Sequence, residues 1–459
     1  MFAYSDVTHA HVMHCASRAL ASGCDVSLLG PAATMLASSR PVIAISAVRT
    51  GCGKSQVARW LSSWLRERGW RVAVLRHPMP YGDLVAARAQ RFATMADLDA
   101  AGCTAEEREE YEPHLAAGNL VFAGVDYAEV LRQAEREADL IVWDGGNNDF
   151  PFVRPGLHLV LADALRPDQV DTHHPGETVA RMADALIVNK VDAVEAPAIE
   201  ALEQRLRAVN AHAPIVRAAS PVRLDDPRAV AGQRVLVVED GPTITHGGMA
   251  SGAGYVAALA AGAAAIVDPR PFADGSLAAT YAAFPHIGPV LPAMGYGPAQ
   301  RAELARCIAA SGAEAVVVGT PFDLASMLGL SLPVVARAIA SSSAAARGST
   351  RSSATGSEPV NESGAPERLA RTAPIEAQSA AVARATASIC NEEWRRSGRT
   401  SGRGGFFHRL SRLAISKSMT RVLPRSRPSG VSMCCSTSRN TPSRSKYITV
   451  APAFTGIPR

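Results

Sequence analysis

The sequence has no run of about 18 apolar residues, the length that a membrane-spanning helix requires, so a membrane is excluded as partner. It also lacks a secretory signal. The first twenty residues, "MFAYSDVTHAHVMHCASRAL", hold three histidines and no basic stretch leading into an apolar one. Eight cysteines, at positions 15, 24, 52, 103, 307, 390, 434 and 435, include no C-x-x-C pair. That argues against a disulfide framework and against a cysteine-based zinc site. What remains is a cytoplasmic chain of 459 residues, 47% hydrophobic, long enough for two or three domains with a sizeable core.

Acidic residues are absent from Arg395 onward, where 14 basic residues occur. From Ile339 to the end there are 19 Lys+Arg and 6 Asp+Glu, so the net charge of +5 hides a mildly acidic body and a basic tail. The tail is rich in Arg, Ser, Pro and Cys without regular motifs, which predicts disorder. A basic Arg/Ser segment can bind nucleic acid. Its composition is also what a GC-rich gene yields when read out of frame, so it reads as a frameshift product with no specific nucleic-acid partner.

Between these ends, apolar runs alternate with helical patterns. "PVIAISA" at 41–47 is of buried-strand type, and "KSQVARWLSSWLRERG" has helical spacing with Gly69 as its stop. Further runs follow at 71–75, 119–124, 138–146, 157–163, 183–192 and 213–220, several separated by helices such as "DYAEVLRQAEREA". The economical solution is a mostly parallel sheet with helices on both faces. The reading is therefore an α/β fold: a partial N-terminal segment over residues 1–40, with "MFAYSD" and "DVSLLG" as strands around a helix; a nucleotide-binding domain over 41–228; a smaller α/β domain over 229–338; and the tail over 339–459.

"AVRTGCGKS", residues 47–55, joins the first strand of this pattern to its helix. The usual phosphate loop, G-x-x-x-x-G-K-[ST], has glycine where Val48 stands. The essential parts remain. Gly51 and Gly53 let the backbone approach phosphates, Cys52 is a small residue in the turn, Lys54 reaches the terminal phosphates, and Ser55 offers a hydroxyl to Mg²⁺. Lys54 beside Cys52 also offers a way to lower its thiol pKa. "LIVWDGGNND" puts Asp144 at a strand end, suited to holding Mg²⁺ opposite Ser55. "LIVNKVD" supplies Asn189, Lys190 and Asp192 in the N-K-x-D pattern that reads guanine, and "RAAS" at 217–220 stands where a Ser-Ala loop would flank the base. Mg²⁺ with GTP or ATP is the expected cofactor set.

"R-T-G-C-G-K-S" resembles the deviant phosphate loop of the SIMIBI branch of P-loop NTPases. The resemblance implies that Arg49, five places before the lysine, is a second cation reaching a phosphate across a homodimer interface. More widely, "RHPMPYGDL", "RFATMADLD", "EEREEYEPH", "WDGGNNDFPF", "HHPGET", "VEDGPTITHGGM", "PHIGPVLPAMGYG" and "GTPFDL" resemble the cyclic 2,3-diphosphoglycerate synthetase family over residues 2–338. That implies a P-loop domain preceded by a Rossmann-like domain, here truncated, and phosphoryl transfer to a small phosphorylated acid.

Such chemistry needs cations around a polyanion. Arg76 is the candidate clamp, and His77, His173 and His174 are candidate acid/base groups or metal ligands beside Glu177. Asp83 and Asp149 are candidate second carboxylates, and Glu239, Asp240 and His246 candidate residues of the substrate pocket. The alternative function is a GTPase switch or chaperone for a partner protein. It is disfavoured because no cysteine-bearing metal motif lies near the loops.

Overall fold

The computed structural model describes residues 6–77, 83–146, 149–293, 297–320, 324–330 and 332–339. The tail expected after 339, and all but Asp6 of the expected first strand, lie outside these residues. In chain order the strands are β1 (Val7–Thr8), β2 (Val42–Ala47), β3 (Val72–Arg76), β4 (Gln90–Phe92), β5 (Leu120–Ala123), β6 (Leu140–Asp144), β7 (Leu157–Asp163), β8 (His173–His174) and β9 (Ala185–Asn189). They continue as β10 (Ile215–Ala218), β11 (Val222–Leu224), β12 (Arg234–Asp240), β13 (Ala265–Ile266), β14 (Leu291–Ala293), β15 (Ala315–Val318) and β16 (Val334–Ile339). The helices used below are α1 (His9–Ala21), α2 (Lys54–Arg66), α3 (Met95–Ala101), α4 (Ala105–Ala116) and α5 (Tyr127–Glu137).

Eight strands form one sheet in the order β10-β9-β7-β2-β6-β3-β5-β4. All neighbours are parallel except β4, which runs antiparallel to β5 at the edge. The central strands β2, β6 and β7 are buried along their whole length. That is why they read as unbroken apolar runs: helices cover both faces, and no position is left for a polar residue to reach water. The short edge strand β4 has no such run, and its sequence carries no strand signal.

A second sheet has the order β11-β16-β15-β12-β13, with β14 also pairing β12. Val222–Leu224 already belongs to it, a few residues before the boundary expected at 228. The N-terminal segment docks on the first domain: β1 pairs antiparallel with β8, matching Val7 to His174 and Thr8 to His173. Helix α1 forms as expected, capped by the Thr8 side chain. The strand expected in "DVSLLG" does not form. Among the described residues no strand pairs with it, and Leu28 and Leu29 stand exposed. Among the described residues no helix is long and apolar enough to cross a membrane.

In a parallel sheet the carboxyl ends of the strands share one edge, and the loops there build the site. One contact sets the phosphate loop on that edge. Gly176, the first residue of the helix Gly176–Met182 after β8, lies so close to the loop that a Cβ would come 2.1 Å from the Val48 carbonyl oxygen. Gly176→Ala should push the start of the loop out of place and cost about 1–3 kcal/mol, the usual price of overpacking. Thermal denaturation with and without nucleotide checks this: both the midpoint and the shift caused by nucleotide should fall.

Candidate functional site

The phosphate loop runs from β2 to α2. Val48, where the common pattern has glycine, continues the strand: it is buried and its N–H donates to the Leu161 carbonyl at 2.9 Å. Gly51 and Gly53 have φ of +79° and +99°, which glycine adopts freely. A Cβ on Gly53 would also meet Asn189 Nδ2 at 2.5 Å.

Three successive loop carbonyls are taken by side chains from other strand ends. Thr50 O accepts from Arg166 Nη2 at 2.6 Å, Gly51 O from Lys190 Nζ at 2.8 Å, and Cys52 O from Asn189 Nδ2 at 2.8 Å. In a trans peptide the N–H points opposite to the C=O. Fixing these carbonyls on the protein side turns the N–H groups of Gly51, Cys52 and Gly53 the other way, toward the mouth of the loop. Those donors, the N-terminus of α2 and Lys54 make an anion cradle.

Asn189 and Lys190, expected at the nucleotide, thus hold the loop through its carbonyls. Lys190 Nζ also pairs with Asp163 Oδ2 at 2.7 Å, and Arg166 Nη2 meets the same oxygen at 2.9 Å. Asp192 is exposed, and its Oδ1 accepts from the Ser220 N–H at 2.8 Å. Ser220 Oγ in turn donates to Gln56 Oε1 at 3.1 Å, tying this loop to α2. Cys52 is fully buried, and burial pushes its thiol up against the pull of Arg166. It fills the turn and is not an activated thiol.

Asp144 ends β6, completely buried. Its Oδ2 pairs with Arg76 Nη1 at 2.7 Å and accepts from His114 Nε2 at 3.0 Å. His114 Nδ1 accepts from Asn119 Nδ2 at 3.1 Å, which fixes the Nε2–H tautomer of a neutral ring. Burial alone would raise the Asp144 carboxyl, but the charge of Arg76 and the His114 hydrogen bond outweigh it and hold the carboxyl below its ordinary value. Oδ1 is buried with no partner among the described residues. That free oxygen, facing the field of Lys54, fits a Mg²⁺ ligand, with Ser55 in the first turn of α2 as the second. Among the described residues no group of three or more His, Cys, Asp or Glu is placed to hold a metal by itself.

Arg76 is not the open clamp expected. Nη1 also donates to the Asp144 carbonyl at 3.1 Å and Nη2 pairs with Glu110, so only Nε is left without a partner among the described residues. Next to it, His77 Nδ1 and Asp149 Oδ1 are buried and without partners. Burial and the neighbouring Arg76 lower His77 to about 3, so the ring is neutral. Burial pushes the Asp149 carboxyl up to about 6, with Lys54 and Arg76 pulling the other way. Asp83 is elsewhere, capping an exposed turn at the N–H groups of Val85 and Ala86.

Arg49 corrects the expectation most clearly. Its guanidinium is buried inside the chain, Nε pairing with Asp6 Oδ2 at 2.6 Å, Nη1 bonding Gln169, and Nη2 donating to the His246 carbonyl at 3.2 Å. Asp6 also accepts from Thr50 N and Oγ1 at 2.8 and 3.0 Å. The residue fastens the N-terminal segment and the second domain to the phosphate loop, so the role across a dimer loses its basis.

The second-domain turn after β12 packs on the same loop: a Cβ on Gly51 would meet Thr243 Cγ2 at 3.3 Å. Asp240 caps this turn through Thr243 N at 3.1 Å, and His246 Nε2 is buried without a partner among the described residues. Glu239 is buried, accepting from Tyr255 N at 2.7 Å, and belongs to the second-domain core. His173 and His174 serve the β1–β8 pairing, with His173 Nδ1 bonded to Thr172 Oγ1 at 2.7 Å and His9 paired to Glu177 at 3.5 Å. Sequence reasoning missed Asp6, Glu110, His114, Asp163, Arg166 and Gln169. Only Glu110 and His114 carried a signal, inside "EEREEYEPH".

Asp6 is 2% exposed. Arg49→Ala should therefore strand a buried carboxylate and cost about 3–5 kcal/mol, measured by urea denaturation. Arg49→Ala with Asp6→Asn should recover a large part of that loss, which a purely phosphate-binding arginine would not show.

No protein-family model matches the chain. The curated arginine synthetase ArcE of Thermococcus kodakarensis is 55% identical over 335 residues, covering 73% of this chain and 75% of that protein. Two solved structures are similar in part. LpxK from Aquifex aeolicus in complex with ATP shares 14% identity at a TM-score of 0.41, over 72% of this chain and 89% of that one. The hydrogenase maturation factor HypB from Archaeoglobus fulgidus shares 16% at 0.27, over 39% and 80%. The relative's name is arginine synthetase, where the sequence motifs suggested cyclic 2,3-diphosphoglycerate synthetase. The chain has the nucleotide-binding P-loop NTPase fold, and it belongs to the family of the arginine synthetase ArcE.

Proposed function

We propose that the chain is a Mg²⁺-dependent nucleoside-triphosphate ligase that makes arginine. The observation that carries this reading is the 55% identity to an arginine synthetase over 335 residues, a span that includes most of the described chain. The chemistry of the product defines the acceptor. Arginine differs from the ureido acid citrulline by one nitrogen in place of one oxygen, and an uncharged ureido oxygen is a poor leaving group.

Phosphorylating that oxygen removes the difficulty. The ureido oxygen attacks the terminal phosphorus, the bond to the bridging oxygen breaks, and the nucleoside diphosphate leaves. Ammonia then attacks the ureido carbon, the carbon–oxygen bond breaks, and phosphate leaves with the ureido oxygen. The remaining proton passes to solvent. Lys54 and the loop N–H groups hold and orient the transferred phosphoryl group. Bound at Ser55 and Asp144, Mg²⁺ supplies charge compensation for the terminal phosphates. Arg76 Nε is a buried donor without a partner among the described residues, suited to the ureido or phosphoryl oxygen.

With citrulline labelled at its ureido oxygen by ¹⁸O, ammonium and nucleoside triphosphate, phosphorus NMR should show the label in the released phosphate and amino-acid analysis should show arginine. A new phosphoanhydride from 2,3-diphosphoglycerate would favour cyclisation instead. Phosphate release that ignores both acceptors and rises with a protein partner would favour a GTPase switch.

Asp192 supports guanine as the base. An exposed carboxylate oriented by Ser220 accepts the two N–H groups on guanine's edge, while adenine offers an acceptor at N1. Asp192→Ala should weaken guanine nucleotide binding about tenfold or more, the worth of a hydrogen bond to a charged group, and leave adenine nucleotides nearly unaffected. Titration calorimetry with GDP and ADP decides it.

A further inference from the structure

Two buried hydrogen-bond acceptors share one corner of the site, and nothing in the phosphoryl-transfer chemistry uses them. His77 follows Arg76 at the end of β3, and Arg76 stands beside Asp144 in the register of β3 and β6. The turn "GG" after Asp144 then brings Asp149 back toward His77. A Cβ at Gly146 would lie 3.0 Å from His77 Nδ1 and 3.1 Å from both Asp149 carboxylate oxygens. The two residues thus border one point and are no more than about 6 Å apart across it, a span that one small donor bridges with two hydrogen bonds.

Both atoms are buried without a partner among the described residues. Leaving such groups unpaired costs free energy, about 1–3 kcal/mol each, so they mark a place where a ligand completes the bonding. The polarity identifies that ligand. A neutral imidazole presents Nδ1 as an acceptor in its Nε2–H tautomer, the one that an N–H donor at this point selects, and a carboxylate accepts only. A small group rich in N–H donors fits both atoms. Lys54 and Arg76, whose charges act on both groups, are donors and suit oxygens of the phosphoryl group and acceptor.

From this juxtaposition we propose that His77 and Asp149 form the subsite that holds the incoming ammonia or ammonium. The inference rests on the arginine-forming reading above. Gly146 belongs to the subsite by leaving room: any side chain there would occupy the space between the two acceptors.

Steady-state kinetics of arginine formation, with ammonium varied at saturating nucleotide and citrulline, tests it. For Asp149→Ala and His77→Phe the KM for ammonium should rise about ten- to hundredfold, with the KM for nucleotide within about twofold of wild type. His77→Asn, whose amide oxygen restores an acceptor near Nδ1, should recover most of the loss. Thermal denaturation with nucleotide identifies a variant that has simply failed to fold, and the His77→Asn and His77→Phe comparison then carries the test. An unchanged ammonium KM in both Asp149→Ala and His77→Phe, or equal losses for His77→Asn and His77→Phe, overturns this inference alone. A wild type that forms no arginine from citrulline and ammonium, yet binds nucleotide, overturns the arginine reading and this subsite with it.

Discussion

One carboxylate organises the nucleotide loop. Asp163, buried at the end of β7, accepts from both Arg166 and Lys190, and those two cations also donate to Thr50 O and Gly51 O. A loop that binds phosphate through its N–H groups faces a difficulty on its other side, where the carbonyls are buried and need donors. Side chains from β7 and β9 solve it. Without Asp163 the two cations would be buried with unbalanced charge, and without the cations the carbonyls would lack partners. Replacing one member of such a set disturbs all of it, because interactions in one network are not additive.

The same network reaches across to the second domain. Arg166 Nη1 donates to the Gly247 carbonyl at 2.7 Å, and Arg49 bonds the His246 and Gly247 carbonyls from the other side. The turn carrying Thr243 and His246 is therefore fastened to the phosphate loop by two arginines, one paired with Asp163, which Lys190 shares, and the other with Asp6. A second link runs from Asp144 through His114 in α4 to Glu109 on the same helix, which accepts from Thr320 Oγ1 at 3.1 Å. The floor of the nucleotide site and the second domain are thus joined by two separate sets of hydrogen bonds.

The sequence made the parallel sheet legible because its central strands are buried on both faces, so "LHLVLAD" matches β7 residue for residue and the run at 138–146 contains β6. The phosphate loop was legible through spacing, since glycine, lysine and serine there answer to local geometry. What escaped is long-range. Asp6 meets Arg49 across 43 residues and Arg166 meets Gly247 across 81, and no periodicity encodes such pairs. Arginine in particular misleads: Arg49 and Arg76 both look like substrate cations by position, and both are consumed by buried carboxylates. "DVSLLG" misleads in the other direction, because β-propensity without a neighbouring strand gives no ladder.

The fate of Arg76 bears on what the site can accept. A clamp for a doubly phosphorylated acid would need several free cations at the mouth of the pocket, yet Asp144 and Glu110 hold both terminal nitrogens of this one. Its single remaining donor, Nε, serves one oxygen. Beside it, Asp149 Oδ1 is a buried carboxylate oxygen that would repel a second phosphate at close range. A neutral acceptor with one reactive oxygen satisfies this set of groups, because Nε serves that oxygen and the carboxylate meets no second negative charge. A polyanion leaves the Asp149 carboxylate facing negative charge.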